Sequence, residues 1–286
     1  MKMNLQEKHA LVTGASVGIG RALATALAGR GVALAIAARR TAALTELADE
    51  IARAGHRRPV VLHVDLGKRG AAAEVAARAV AELGRIDILV NNAGASIVGS
   101  QWDLADGEAA RELFEINYWS PLALIHALVP AMRQRRDGAI INVTSLAALA
   151  PWVFTGHYSS TKAALSLASE TLRLELNGSG VHVLELTLGP TETALLAGAR
   201  RDVPGAGTAM SWGPRGTAAE LAHLVVRALE RRRKTLIYPR TLRVTPILPV
   251  AARWLMAQLQ RKLDGDEARL GAALAKTPKG DADAGS

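Results

Sequence analysis

Seven short runs rich in Val, Ile, Leu and Ala recur along the 286-residue chain: HALVTG from 9, VALAIAA from 32, PVVLHV from 59, IDILVN from 86, AIINVTS from 139, VHVLELTL from 181 and TLIYP from 235. Helix-forming stretches fill most of the intervals, and this alternation constrains the fold more than any other feature. Parallel strands cannot be joined by tight turns. Each must return along a crossover, and right-handed crossovers stack helices on both faces of one sheet. The runs are continuously apolar rather than alternating, as strands buried on both faces require. The expectation is an α/β chain: a doubly wound parallel sheet of about seven strands with helices on both faces.

The pattern breaks twice. Residues 196–216, LAGARRDVPGAGTAMSWGPRG, show no period and carry several Gly and Pro, which reads as a flap over a ligand site. Beyond Tyr238, prolines at 239, 246 and 249 interrupt the chain, and the polar stretch from 264 onward reads as a frayed tail. The expected organisation is one domain over residues 1–240 and a basic C-terminal helical extension over 241–286.

Charge sharpens that division. The formal net charge is +9, and residues 231–262 hold nine Lys or Arg with no Asp or Glu; removing those nine from 35 leaves 26 basic residues against 26 acidic ones. Within this stretch, PILPVAARWLMAQLQRKL from 246 has apolar residues at 248, 252, 255, 256, 259 and 263, a helical spacing with one apolar face. Two readings stay open: the helix packs on its own domain or a partner subunit, or residues 231–262 make peripheral contact with an anionic membrane. Nucleic acid is not expected as a partner, because the basic stretch comes without a recognition module. The absence of cysteine excludes disulfides and thiolate zinc sites and fits a cytoplasmic address, with membrane association if the tail is used that way. No secretory signal and no apolar stretch long enough to span a bilayer is evident.

Two motifs point to a site. TGASVGIG at 13–20 stands between the first strand and a helix; Gly14, Gly18 and Gly20, with Ser16 and Ile19 among them, let the backbone approach a pyrophosphate at a helix N-terminus. A tight strand-to-helix connection is the plainer reading of the same residues. At the end of the second strand, where a site for NAD would commonly put an acid on the ribose hydroxyls, the chain has Arg39 and Arg40, which would fork onto a 2′-phosphate. NADP(H) is therefore favoured over NAD(H). YSSTK at 158–162 sets a phenol and an ammonium four residues apart, on one helix face.

TGASVGIG, NNAG at 91–94, Asn117, Ser145 in NVTSLAA, and Tyr158 with Lys162 occur in an order and spacing that resemble the classical short-chain dehydrogenase/reductase family over about residues 5–240. The resemblance implies a Rossmann-type domain and hydride transfer between a nicotinamide and a ketone or secondary alcohol, by a tetrad of Asn117, Ser145, Tyr158 and Lys162. Tyr158 would be general acid or base. A free phenol titrates near about 10, so Lys162 and the oxidised nicotinamide would have to bring it down. Ser145 would donate to the substrate oxygen. Asn117, in a helix starting near Arg111, would connect Lys162 to bulk water.

By the same likeness, Asp65 would meet the adenine with Leu66 beside it, and Asn91, Ala93 and Gly94 would line the cofactor. Tyr158 and Lys162 would reach the cofactor too, Lys162 through the ribose. Gly189, Thr191 and Thr193 would hold the carboxamide and phosphates. Here the chain departs from the family's Pro-Gly, with Leu188-Gly189 followed by Pro190. Homodimers or homotetramers would be usual. The alternative is a non-catalytic NADP(H)-sensing or scaffold protein on the same fold.

Leu146, Leu149, Pro151, Trp152, Val153 and the flap around Trp212 indicate an apolar pocket for a small carbonyl or alcohol substrate. His157 reads as pocket lining or surface rather than catalytic, since helix neighbours point in different directions. His63, His126 and His182 have no ligand spacing, and no metal is expected.

Overall fold

The computed structural model describes residues 2–149, 153–189 and 216–247, together with positions 250, 253, 254, 257 and 258. The seven apolar runs become seven strands: β1 His9–Thr13, β2 Ala33–Ala38, β3 Val60–His63, β4 Ile88–Asn91, β5 Gly138–Ser145, β6 Val181–Leu188 and β7 Thr235–Tyr238. They form one sheet in the order β3-β2-β1-β4-β5-β6-β7. Every pairing is parallel. The order reverses between β1 and β4, and the crevice at that switch point is where open α/β sheets take ligands.

The helices are α1 Gly18–Ala28, α2 Thr41–Arg53, α3 Ala71–Leu83, α4 Gln101–Leu104, α5 Glu108–Phe114, α6 Ser120–Arg135, α7 Gly156–Glu175 and α8 Ala218–Glu230. They cover the two faces of the sheet, which explains why the strands are apolar at consecutive positions. Val12, Val90, Val143 and Leu186 face a core with Leu23 and Leu27 of α1, Leu47 of α2, and Val225 and Leu229 of α8. Leu11, Leu89, Ile140 and Val183 face the other, with Val75 of α3 and Leu124, Leu128 and Met132 of α6. Side chains alternate across each strand, so both neighbours of every residue serve the opposite core.

Two sequence expectations change here, and one open reading gains support. The helix expected to start near Arg111 begins at Glu108, and Asn117 sits in a π-helical turn, Glu115–Trp119, spliced between α5 and α6. Such a turn inserts one extra residue and re-aims the helix after it; its apolar spacing is too close to an α-helix to show in the sequence, and such bulges often mark functional sites.

The basic run is also divided. Arg231 to Lys234 precede β7 while Arg240 and Arg243 come after it, so the four-residue strand sets the groups on the order of 13 Å apart, at opposite edges of the sheet. The run is not one continuous patch. The extension, finally, starts by folding onto the domain: Arg240–Ile247 is a 3-10 stretch. A methyl added at Gly189 would stand 2.6 Å from Leu242 Cδ1 and 3.3 Å from Leu146 Cδ1. Arg253 Nε donates to the Leu149 carbonyl at 2.9 Å. Pro151, Trp152, Thr191, Thr193, the flap up to Arg215 with Trp212, and the apolar positions 248, 252, 255, 256, 259 and 263 lie outside the described residues.

Candidate active site

At the switch point, Gly14 and Gly18 take φ of +65° and +57°, the left-handed region that β-carbons disfavour. Gly20 is needed for closeness instead: a Cβ there would lie 2.3 Å from the Gly14 carbonyl oxygen and 2.4 Å from Asn92 Nδ2. Val17 supplies no side-chain cap to α1, so the first-turn N–H groups and the positive end of the helix dipole face the crevice. Ser16 and Ile19 are buried in this turn.

The turn is fastened to β4 by a residue that sequence reasoning missed. Asn92 Nδ2 donates to the carbonyls of Thr13 at 2.9 Å and Gly14 at 3.2 Å. Thr13 Oγ1 donates to the Val90 carbonyl and accepts from the N–H groups of Asn92 and Ala93. Asn91, expected to line the cofactor, turns the other way: it is buried, and its Nδ2 donates to Asn142 Oδ1 at 2.8 Å beneath α7. The doublet NN held the signal; strand alternation decides which amide faces which side.

At the end of β2, Arg39 and Arg40 are exposed, with no acidic residue at the strand end. Asp65 accepts the Gly67 N–H at 3.1 Å in the loop after β3. Leu66 is buried, and its carbonyl accepts from Ser120 Oγ at 2.8 Å. Gly189 donates its N–H to the Tyr238 carbonyl at 2.7 Å, so this loop is tied to β7.

The chemical end gathers at the carboxyl ends of β4 and β5. Ser145 is the last residue of β5, and its Oγ accepts from the Ala147 N–H at 3.2 Å. Its hydroxyl also acts on the Tyr158 phenol, on the first turn of α7, in favour of the ionised form. Lys162, one turn later and buried, donates from Nζ to the Val143 carbonyl at 3.1 Å, with Nζ 5.9 Å from the Tyr158 ring centroid. A Cβ at Gly94 would meet both Lys162 Nζ and Asn117 Oδ1 at 3.3 Å, so the missing side chain leaves room for the ammonium.

Asn117 is fully engaged. Its Oδ1 accepts from Ala95 N–H at 2.9 Å, and its Nδ2 donates to the Ala95 carbonyl and to Thr161 Oγ1, each at 3.0 Å. Thr161 passes the contact back to the Tyr158 carbonyl at 2.7 Å. All four tetrad positions thus converge, although they come from three separate parts of the chain.

The electrostatics differ from the sequence expectation. Burial pushes the Tyr158 phenol up, and the Ser145 hydroxyl offsets this only in part. Lys162 does not bring the phenol down in the chain by itself. Burial acts on the ammonium too and lowers it to about 8. An apolar enclosure disfavours both charged forms, and the ammonium is turned to a backbone carbonyl.

His157 is not on the surface. It is buried, with Nε2 2.7 Å from the Ala105 carbonyl, which only accepts, so that nitrogen carries the proton. With the Gly99 N–H donated to the Phe154 carbonyl at 2.9 Å, it ties the loop after β4 to the start of α7. A second residue missed from the sequence, Glu185 on β6, is a buried carboxylate facing α7. Among the described residues, no group of three His, Asp or Glu could hold a metal ion.

Sheet order, glycine turn and switch-point crevice define a dinucleotide-binding type of doubly wound domain. Residues 8–204 match the family model described as short chain dehydrogenase, and the chain belongs to that family. A short chain dehydrogenase of Pseudocercospora fijiensis is 40% identical over 67% of this chain and 62% of its own length. The 11-beta-hydroxysteroid dehydrogenase 1A of Arabidopsis thaliana is 35% identical over 68% of this chain and 55% of its own length. The chain thus matches somewhat more than half of each of these curated relatives. The solved structure of a short-chain dehydrogenase from Sphingobium yanoikuyae in complex with NADPH aligns with a TM-score of 0.74 at 30% identity, covering 87% of this chain and 95% of that one.

Proposed function

We propose that the protein is an NADP(H)-dependent oxidoreductase that interconverts a ketone and a secondary alcohol. The observation that carries this reading is the half-buried Tyr158 on α7, with the Lys162 ammonium 5.9 Å from its ring and the Ser145 hydroxyl acting on its phenol. Together they offer an acid, an oxygen-holding hydroxyl and a cation at one point of the crevice. Ser145 holds the substrate oxygen, and Tyr158 delivers a proton to it during reduction or removes one during oxidation. A buried phenol favours its protonated form, which is the form reduction uses.

The residues present fit a dinucleotide: the glycine turn leaves a cradle, the first turn of α1 presents N–H groups for the pyrophosphate, and Arg39 and Arg40 suit a 2′-phosphate. When bound, that cofactor supplies the hydride and, oxidised, a positive charge beside the phenol. Lys162 would hold its ribose hydroxyls, and Asp65, Leu66, Ala93, Gly94 and Gly189 would line it.

Converting Tyr158 to Phe while following NADPH binding by fluorescence tests the reading: binding persists and turnover of a ketone panel is lost. Unchanged turnover sinks it. The cofactor preference is tested by the ratio of Michaelis constants for NADP and NAD in the wild type and in Arg39→Glu; equal constants, or a preference for NAD, overturn it.

Leu146, Leu149 and Val153, half-buried and close after Ser145 in the chain, suit a substrate with an apolar body. Residues 241–286 are an extension of the single domain over 1–240. Leu167 and Leu174, 66% and 78% exposed and seven residues apart on α7, with Trp119 at 54%, fit a homodimer or homotetramer contact. Light scattering of Leu167→Glu against wild type tests that. Among the described residues no helix is long and apolar enough to cross a membrane. A cytoplasmic address with peripheral contact through residues 231–262 is tested by liposome sedimentation against a chain ending at Pro239. Equal partitioning removes the membrane contact.

A further inference from the structure

We propose that Glu185 is a positioning residue for the reaction: its carboxylate ties the strand that ends in Ser145 to the helix that carries Tyr158 and Lys162. A carboxylate has no ordinary place in the middle of a parallel strand covered by a helix, and Glu185 is only 5% exposed. Such a group persists where it is satisfied, and this one is. One oxygen, Oε1, accepts two hydroxyls: Thr144 Oγ1 at 2.9 Å and Ser166 Oγ at 2.6 Å.

The two donors are what make the contact mechanistic. Thr144 immediately precedes Ser145 on β5, and Ser166 lies one helical turn beyond Lys162 on the same face of α7. Pulling both hydroxyls to a single oxygen sets the spacing between strand and helix just behind Ser145 and Tyr158. The other oxygen, Oε2, lies 4.0 Å from Arg173 Nη2. Arg173 and Glu170 on α7 are the charges that act on the carboxylate, and they oppose one another. Hydrogen-bond acceptance rather than charge is therefore the useful property. A displacement of a fraction of an ångström here moves the phenol off the serine hydroxyl, and errors of that size are costly in reacting geometry.

This inference rests on the tetrad reading, and the experiment separates the two. Glu185→Leu removes the acceptor, and Glu185→Gln keeps an oxygen that can take both hydroxyls. The readouts are kcat per folded molecule, the NADPH dissociation constant, and the alkaline-side pH profile of alcohol oxidation. In Glu185→Leu, kcat is expected to fall about 10- to 100-fold with NADPH affinity unchanged. Its rising limb should move to higher pH, because the phenol moves away from the Ser145 hydroxyl that favours its ionised form. Glu185→Gln should restore both.

Wild-type kcat and an unmoved pH limb in Glu185→Leu overturn the proposal, and so does a Glu185→Gln protein as impaired as Glu185→Leu. Where Glu185→Leu does not fold, Thr144→Val and Ser166→Ala each remove one donor, and wild-type kcat with an unmoved limb in both overturns the proposal equally. Tyr158→Phe is measured in parallel. If it keeps turnover, the tetrad reading and this inference both fall; if it is inactive while Glu185→Leu is normal, only the role of Glu185 falls.

Discussion

The two faces of the sheet are built from the same strands and differ sharply near the carboxyl ends. On the face covered by α1, α2 and α8, the strand residues are Val12, Val90, Val143 and Leu186, all apolar and buried. On the face covered by α6 and α7, the alternate positions are Thr13, Asn91, Asn142, Thr144, Glu185 and Thr187, also buried but polar. Buried polar groups cost stability unless partnered, and most of these are partnered. Asn91 bonds Asn142, Asn142 Nδ2 donates to Ser169 Oγ at 2.8 Å, and Thr144 and Ser166 meet at Glu185. Among the described residues Asn91 Oδ1 is left without a partner. One face is a non-directional packing surface. The other uses directional bonds to fix a helix, the one on which the proposed chemistry depends.

The sharpest way to break this contrast is a pair of substitutions with opposite signatures. Tyr158→Phe on the polar face is expected to lower kcat about 100- to 10,000-fold with little change in thermal stability. Leu186→Ala on the apolar face should destabilise by about 2–5 kcal/mol in urea unfolding while kcat per folded molecule stays at the wild-type value. If the signatures are exchanged, or if Leu186→Ala also lowers kcat in folded protein, the division of labour between the faces is wrong.

Lys162 offers a smaller effect with a definite sign. Burial lowers its pKa to about 8, below the unfolded value, so the unfolded chain binds the additional proton between those two values. Stability therefore rises with pH across that window, and the penalty of the buried ammonium is fully present below it. Lys162→Met should be inactive yet more stable than wild type at pH 7, on the order of 2 kcal/mol, with the advantage shrinking above pH 8. A Met variant that is less stable at pH 7 would show the ammonium to be a structural asset. Smallest is Ser169→Ala, which strands Asn142 Nδ2 in the interior and should cost about 1 kcal/mol. Unchanged stability there would mean that the hydrogen-bonded seam is dispensable away from Ser145.

Much of the fold and of the site is legible in the chain because the signals are local or periodic. Seven apolar runs become seven strands, since burial on both faces leaves a continuous run. Gly14, Gly18 and Gly20 stand out because the turn needs positive φ and close approach there. Tyr158 and Lys162 stand out by helical spacing. What escapes depends on direction. Asn91 reads as the cofactor residue although only Asn92 reaches the glycine turn. For His157 the spacing leaves surface and interior open, and the fold buries it against the Ala105 carbonyl. Glu185 in VHVLELTL is the one acid in an apolar run, but nothing in the run names Thr144 and Ser166 as its donors. Charge predicts that Lys162 and an oxidised nicotinamide together lower the phenol, and spacing does not record that burial in the chain alone raises it.

The amino-acid order by itself determined the sheet, its two covered faces, the glycine turn and the helix that presents phenol and ammonium together, because each comes from apolar spacing or from backbone freedom at named residues. Only the folded chain decided which side of each strand an amide or carboxylate faces, how deeply the ammonium is buried, and that Ser145, Asn117 and Tyr158 meet. Those outcomes depend on contacts between residues far apart in the chain, and on the loss of water around them, neither of which local spacing records.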